Sequence, residues 1–152
     1  MMSTPALAQT TPSAKEATMT ARGPFDVNIT QQDDKLNDGI SRMVSERQYH
    51  GDLEGMSKGQ MLAVGGAKSS GVYVAIETFT GTVQTASGEK KSGSFSLHHT
   101  GIMTNSTPEL DIRVVPGSGT GQLAVINGKM KIIIAPDGKH SYEFEYKLPE
   151  GN

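Results

Sequence analysis

The stretch that decides the fold is Lys129 to Tyr146, KMKIIIAPDGKHSYEFEY. Met130, Ile132 and Ile134 alternate with Lys129, Lys131 and Ile133, and Tyr142, Phe144 and Tyr146 alternate with Glu143 and Glu145, the period-two signature of two half-buried strands. The connection Ala135-Pro136-Asp137-Gly138-Lys139 sets their register. A two-residue Asp-Gly loop would put the two apolar rows on opposite faces. A three-residue loop, with Pro136 and Asp137 in a type I turn and Gly138 as the left-handed bulge residue, pairs Ala135 with Lys139 and Ile132 with Tyr142, so the rows share a face. The same register sets Lys131 against Glu143 and Lys129 against Glu145 on the outer face. One connection earlier, Asn127-Gly128 reads as a type I′ turn that would place a strand over 121–126 beside this hairpin, with Leu123 and Val125 next to Ile132 and Met130.

Working outward, strands are expected near 24–30, 41–54, 60–65, 72–82, 92–103, 110–115, 121–126, 129–135 and 139–147, with a short helix or loop over 33–39. Turn signals recur at Gly55, Gly65-Gly66, Ser87-Gly88, Pro108 and Pro116-Gly117. Short strands at this spacing point to an all-β fold, a small antiparallel up-and-down barrel of about eight strands, because an open meander of this length would leave exposed edges. Residues 1–22, rich in Ser, Thr, Ala and Pro, read as a loosely attached arm, residues 23–148 as one barrel domain and 149–152 as a tail.

A chain of 152 residues is long enough to bury roughly 70% of its unfolded surface without disulfides or metal. The absence of cysteine removes thiol nucleophiles and thiolate metal sites and fits either redox compartment. Fourteen basic against sixteen acidic residues, with no basic stripe, speak against nucleic acid as a partner. No apolar run reaches the ~20 residues of a membrane helix, so no membrane partner is expected. The expected location is cytoplasmic, or periplasmic if Ala6-Leu7-Ala8-Gln9 is the remnant of an export signal.

The strings YHGDLEG (49–55), GVYVAIETFTGTV (71–83), SGSFSLHHTG (92–101) and VVPGSGTGQLAVINGKMKI (114–132) resemble an uncharacterised family of small bacterial proteins whose fold is similar to the allene oxide cyclase barrel. The resemblance covers about residues 22–148. It implies a calycin-like barrel and a homo-oligomer; it implies no activity.

Strand phase nominates the polar residues of the interior. Phe95 and Leu97 carry His99 inward and send His98 out; Met43, Tyr49 and Leu53 carry Arg47 inward. Tyr73, Ala75 and Phe79 carry Glu77, although the opposite row of Val72, Val74 and Ile76 is equally apolar. The expected lumen site is Arg47, Glu77 and His99 beside Tyr142 and Tyr146, with Glu77 and His99 as candidate acid–base groups. Three functions suit such a cluster: a barrel binding a small, largely apolar ligand with an acidic or carbonyl end, a cofactor-free isomerase or cyclase, or a structural or interaction protein with a filled lumen. No cofactor and no metal are implied, since adjacent His98 and His99 face opposite sides of a strand. The loop Gly117-Ser118-Gly119-Thr120-Gly121 lacks the Lys-Ser/Thr ending of a phosphate loop and reads as a tight connection.

Overall fold

The computed structural model describes residues 17–33, 38–66 and 69–149. Eight strands run up and down in chain order: β1 (Met19–Gln31), β2 (Ser41–Tyr49), β3 (Leu53–Gly65), β4 (Gly71–Gln84), β5 (Lys90–Thr104), β6 (Thr107–Val114), β7 (Asn127–Ile134) and β8 (His140–Lys147). Each pairs antiparallel with its neighbour and β8 returns to β1, closing the barrel. The decisive hairpin has the register read from its loop, with Ile132 opposite Tyr142, Lys131 opposite Glu143 and Lys129 opposite Glu145. Gly138 at φ 87° supplies the left-handed residue, and Gly138 N–H donates to the Ala135 carbonyl at 2.8 Å. Lys129 reaches Glu145 at 3.7 Å, while Glu143 lies 3.6 Å from Arg22 of β1.

Four boundaries differ from expectation. The span 41–54 is two strands, because the chain turns at His50-Gly51-Asp52 and not at Gly55, which lies inside β3. The inward row of β3 is Leu53, Gly55, Ser57, Gly59, Met61 and Ala63, too small and polar over most of its length to leave a period-two hydrophobic signal. The span 121–126 is not a strand. A single 3₁₀ turn, Gly121–Leu123, puts Leu123 and Ile126 into the core at a spacing of three and leaves Val125 exposed, and Asn127-Gly128 opens β7 directly. The β5–β6 turn falls at Asn105-Ser106, both with positive φ, and Pro108 sits within β6 opposite Met103. Finally, β1 begins at Met19, inside the segment expected to be an arm: Ala21 is fully buried opposite Phe144, and one small residue makes no pattern. Residues 1–16 of that arm, 34–37 of the 33–39 segment and 150–152 of the tail lie outside the described residues.

The glycine-rich connection seals the barrel. β5 has β6 as neighbour only from Leu97 onward. Below that, Val115 N–H donates to the Ser96 carbonyl (2.8 Å), Thr120 N–H to the Ser94 carbonyl (2.8 Å), and the Ser118 and Thr120 hydroxyls accept from the N–H groups of Ser96 and Ser94. The loop thus occupies a missing strand's place on the ladder and pairs β5 backbone groups that β6 does not reach. Phe79, Phe95, Phe144, Tyr146, Tyr49 and Tyr142 fill that end of the interior, with Phe95 stacked on Phe144 at 5.4 Å and Tyr49 edge-on to Phe79 at 5.5 Å. The other end is less closed. There β6 and β7 share only two residue pairs, Ile112 with Met130 and Arg113 with Lys129.

Candidate functional site

A charged side chain on an inward row must find a partner, since an unpaired buried charge costs several kcal/mol. Arg47 on β2 finds Glu77 on β4, with β3 between them. Gly59 makes the reach across β3 feasible: it pairs with Ser45 on one side and Glu77 on the other, and a Cβ there would lie 2.8 Å from Ser45 Oγ and 2.9 Å from Glu77 Cβ. Without that bulk Glu77 leans over β3, and its Oε2 lies 2.8 Å from Arg47 Nη1. Tyr49 Oη donates to the other carboxylate oxygen, Oε1, at 2.6 Å. His99 on β5 brings Nε2 to 3.5 Å from Oε2. The Arg47 guanidinium also lies over the Phe25 ring, 5.4 Å from its centroid, and the Tyr73 ring is 6.4 Å from that of His99.

The electrostatics follow from this packing. Burial alone would raise the Glu77 pKa, but His99, Arg47 and the Tyr49 hydroxyl outweigh it and hold the carboxyl below its ordinary value. Burial would lower Arg47, and the Glu77 carboxylate outweighs that in turn, so the guanidinium is held charged. Tyr49 is pushed up, first by burial and then by the neighbouring carboxylate. The result is a closely paired cation and anion that leave several polar atoms unsatisfied. Arg47 Nε and Nη1, Ser57 Oγ and both ring nitrogens of His99 are buried with no hydrogen-bond partner among the described residues. Nη1 and His99 Nε2 both lie close to Glu77 Oε2, at 2.8 and 3.5 Å, but out of hydrogen-bonding line, and the Nη1 contact is ionic. Buried polar groups are rarely left so, and these five atoms belong to three inward-facing residues on strands β2, β3 and β5.

Above the cluster the inward rows become progressively exposed. Met43, Ala63, Tyr73, Ala75, Val27 and Ile132 are half-buried, and the last inward residues, Ile29, Leu110 and Ile134, are 47%, 45% and 64% exposed. Leu110 and Ile134 flank the slot where β6 and β7 no longer pair. The described residues therefore form an apolar funnel with a polar floor.

Arg47, Glu77 and His99 converge as strand phase implies. Tyr142 and Tyr146 take other places. Tyr142 Oη donates to the His50 carbonyl at 2.6 Å and accepts from Leu53 N–H at 2.8 Å, clamping the β2–β3 turn to β8. Tyr146 stacks on Phe144 at 5.2 Å, and burial together with Asp52 of that turn raises its pKa. Both belong to the aromatic packing of the closed end. The cluster's phenol is Tyr49, which the inward row of β2 contained but whose reach to Glu77 only the tertiary crossing of β3 reveals. Ser57 was hidden by the misplaced β3. His98 points outward.

Comparison with known proteins agrees with this fold. Residues 21–146 match the family DUF3224, described as proteins of unknown function. A crystal structure of a protein with unknown function from the DUF3224 family of Shewanella oneidensis MR-1, at 1.84 Å resolution, is similar to this chain with a TM-score of 0.77 and 36% identity; it covers 89% of this chain and 100% of its own. No curated protein matches the chain. The chain belongs to the DUF3224 family, and the solved relative is bacterial, in line with the resemblance read from its sequence strings.

Proposed function

We propose that this DUF3224 barrel binds one small, largely apolar molecule in its lumen, with the molecule's carbonyl or carboxylate end on the floor formed by Arg47, Ser57 and His99. The observation that carries this reading is the set of unpartnered buried polar atoms beneath an apolar, partly open funnel. Eight-stranded barrels are of the size that holds one small ligand, as lipocalins do. Arg47 Nε and Nη1 donate, and the Ser57 hydroxyl and the His99 N–H add two further donors, a set that suits an acceptor-rich head group. Glu77 is the pair's counter-ion and not the ligand's.

The acid–base alternative, with Glu77 or His99 as the group that moves the proton, is weaker for Glu77 on the same geometry. A general base needs a free lone pair near the proton it abstracts, and a pKa drawn up toward neutrality. Glu77 has Tyr49 on one oxygen and Arg47 on the other, and its pKa is drawn down. The filled-lumen alternative describes the aromatic end, where Phe79, Phe95, Phe144, Tyr49, Tyr142 and Tyr146 are buried.

The test is native mass spectrometry of the purified protein for a co-purifying molecule, followed by a thermal-shift screen of fatty acids and aromatic acids. Ser57→Ala removes an unpartnered hydroxyl and is expected to leave the ligand-free melting temperature within ~1 °C while lowering affinity about tenfold. Ala75→Trp in the funnel wall is expected to abolish binding. The reading fails if nothing co-purifies and no acid raises the melting temperature, or if a bound acid is indifferent to both substitutions.

A further inference from the structure

The outer face of the barrel carries an anomaly independent of the lumen. A strand between core and water is apolar on one side only. β4 is not: its outward row is Val72, Val74 and Ile76, and with Leu62 and Val64 of β3 and Ile102 of β5 it forms a contiguous set of six aliphatic side chains, each between 42% and 60% exposed. The register aligns them. Val64, Val72 and Ile102 stand side by side, as do Leu62 and Val74, and the row of Ile76 lies next along. Together they place on the order of 500 Å² of aliphatic surface in water, at the upper end of what monomers expose. Three of the six, Leu62, Val74 and Ile76, line a groove that also contains Val44, Thr78 and Thr100.

The charge around this patch is asymmetric. One cross-strand row reads Arg42, Leu62, Val74, Thr100, Asp111 from β2 to β6, basic at one flank and acidic at the other. Beside these rows the β2–β3 flank carries Arg42 and Lys58 with Glu46, Glu54 lying farther along toward the β2–β3 turn; the β6 flank carries Glu109 and Asp111 with Arg113, which pairs with Asp111 at 2.8 Å. A twofold axis lying in the face and running along β4 exchanges the flanks, so the basic edge of one copy meets the acidic edge of the other while Val74 and Ile76 meet their own counterparts.

We infer that the outer face of β3–β5 is a self-association surface that joins two copies of this chain about a twofold axis along β4. A self-complementary patch is what a closed dimer requires, and the six aliphatics form most of the core of a standard interface, which buries ~800 Å² per partner, leaving the charged flanks as its rim. The occupant is another copy and not a membrane, because a lipid surface would select one sign of charge around the patch and this rim carries both.

Sedimentation equilibrium and light scattering on the full chain decide it. At about 1–100 µM the expected mass is twice 16.1 kDa. Ile76→Lys places like charges across the axis and is expected to weaken association at least ~100-fold with an unchanged circular dichroism spectrum. If that variant folds poorly, Val74→Thr with Ile76→Thr, which keeps β-branching, is expected to weaken association about tenfold or more. Arg42→Asp and Asp111→Lys should each weaken the dimer several-fold and restore it when combined. A monomer at 100 µM, a dimer indifferent to the β4 substitutions, or single charge reversals that are not rescued in combination each overturn the inference.

Discussion

Replacing Glu77 by Gln tests the central claim about the lumen, that Arg47 is held charged in a buried site by one carboxylate. The two side chains are 8% and 1% exposed and 2.8 Å apart, so water screens their contact little. Removing one member of a buried pair typically costs ~3–5 kcal/mol, because the remaining charge keeps its desolvation penalty without its partner. Gln keeps the shape and still offers Tyr49 an acceptor, and Arg47 keeps its place over Phe25, which argues for the lower end, about 3 kcal/mol. For a chain of this length that is a fall in melting temperature of roughly 6–12 °C. Urea unfolding followed by circular dichroism measures it directly. Arg47→Met combined with Glu77→Leu should recover most of the loss, giving a coupling energy of at least ~2 kcal/mol in the double-mutant cycle.

Acid supplies an internal control. The folded pKa of Glu77 is lowered, so its contribution is fully present above the ordinary value of 4.5 and is lost as pH falls through the folded value. The gap between wild type and Glu77→Gln should therefore narrow below pH 4.5, by ~1.4 kcal/mol per pH unit until the folded pKa is reached. A gap under 1 kcal/mol at pH 7, or one that stays constant into acid, would refute the reasoning.

Tyrosine ionisation gives a second readout, since Tyr49, Tyr73, Tyr142 and Tyr146 are the only four tyrosines and burial raises all four. Raised folded values mean stability that is complete below pH 10 and lost as pH climbs through them; absorbance at the phenolate band should show Tyr49 and Tyr142 ionising only as the fold is lost, and a folded protein with four phenols titrating near 10 would contradict it. Tyr142→Phe strands Leu53 N–H and the His50 carbonyl and should cost ~1–3 kcal/mol in urea unfolding, with loss under 0.5 kcal/mol counting against the clamp. Gly138→Ala has open space around it and a φ of 87°, so its cost of about 1–2 kcal/mol is purely conformational, and Gly138→Asn should cost visibly less.

How much of this was legible depended on where the chemistry was local. The Ala135–Lys139 loop settles its own register because the number of loop residues fixes which side chains face each other, and the inward direction of His99 and Arg47 follows from neighbours two residues away. Where the inner row is Gly, Ser and Ala, as in β3, burial leaves no hydrophobic trace, so the turn at His50–Asp52 and the role of Ser57 were invisible. The span 121–126 failed for a different reason: Leu123 and Val125 mimic a strand, whereas the pair that the core takes is Leu123 and Ile126, three apart. Tyr49 was in view as a core aromatic, but its bond to Glu77 spans an intervening strand and needs Gly59 to be narrow, a condition no pairwise sequence pattern expresses.

β4 concentrates the two costs that stability alone does not explain. Its inward row holds Glu77 where a leucine would pack, and its outward row holds Val72, Val74 and Ile76 where threonines would serve. Buried ion pairs replaced by well-packed apolar side chains often leave a protein as stable or more so, and an aliphatic row in water gains nothing for an isolated barrel. The Arg47→Met, Glu77→Leu double variant separates these roles. If it melts at or above the wild-type temperature, still self-associates through the outer face and no longer binds an acid that stabilises the wild type, then the pair is retained for the ligand and not for the fold. If it binds that acid undiminished, the floor of the funnel is not where the ligand's polar end sits, and the proposed lumen site falls while the barrel and its outer face stand.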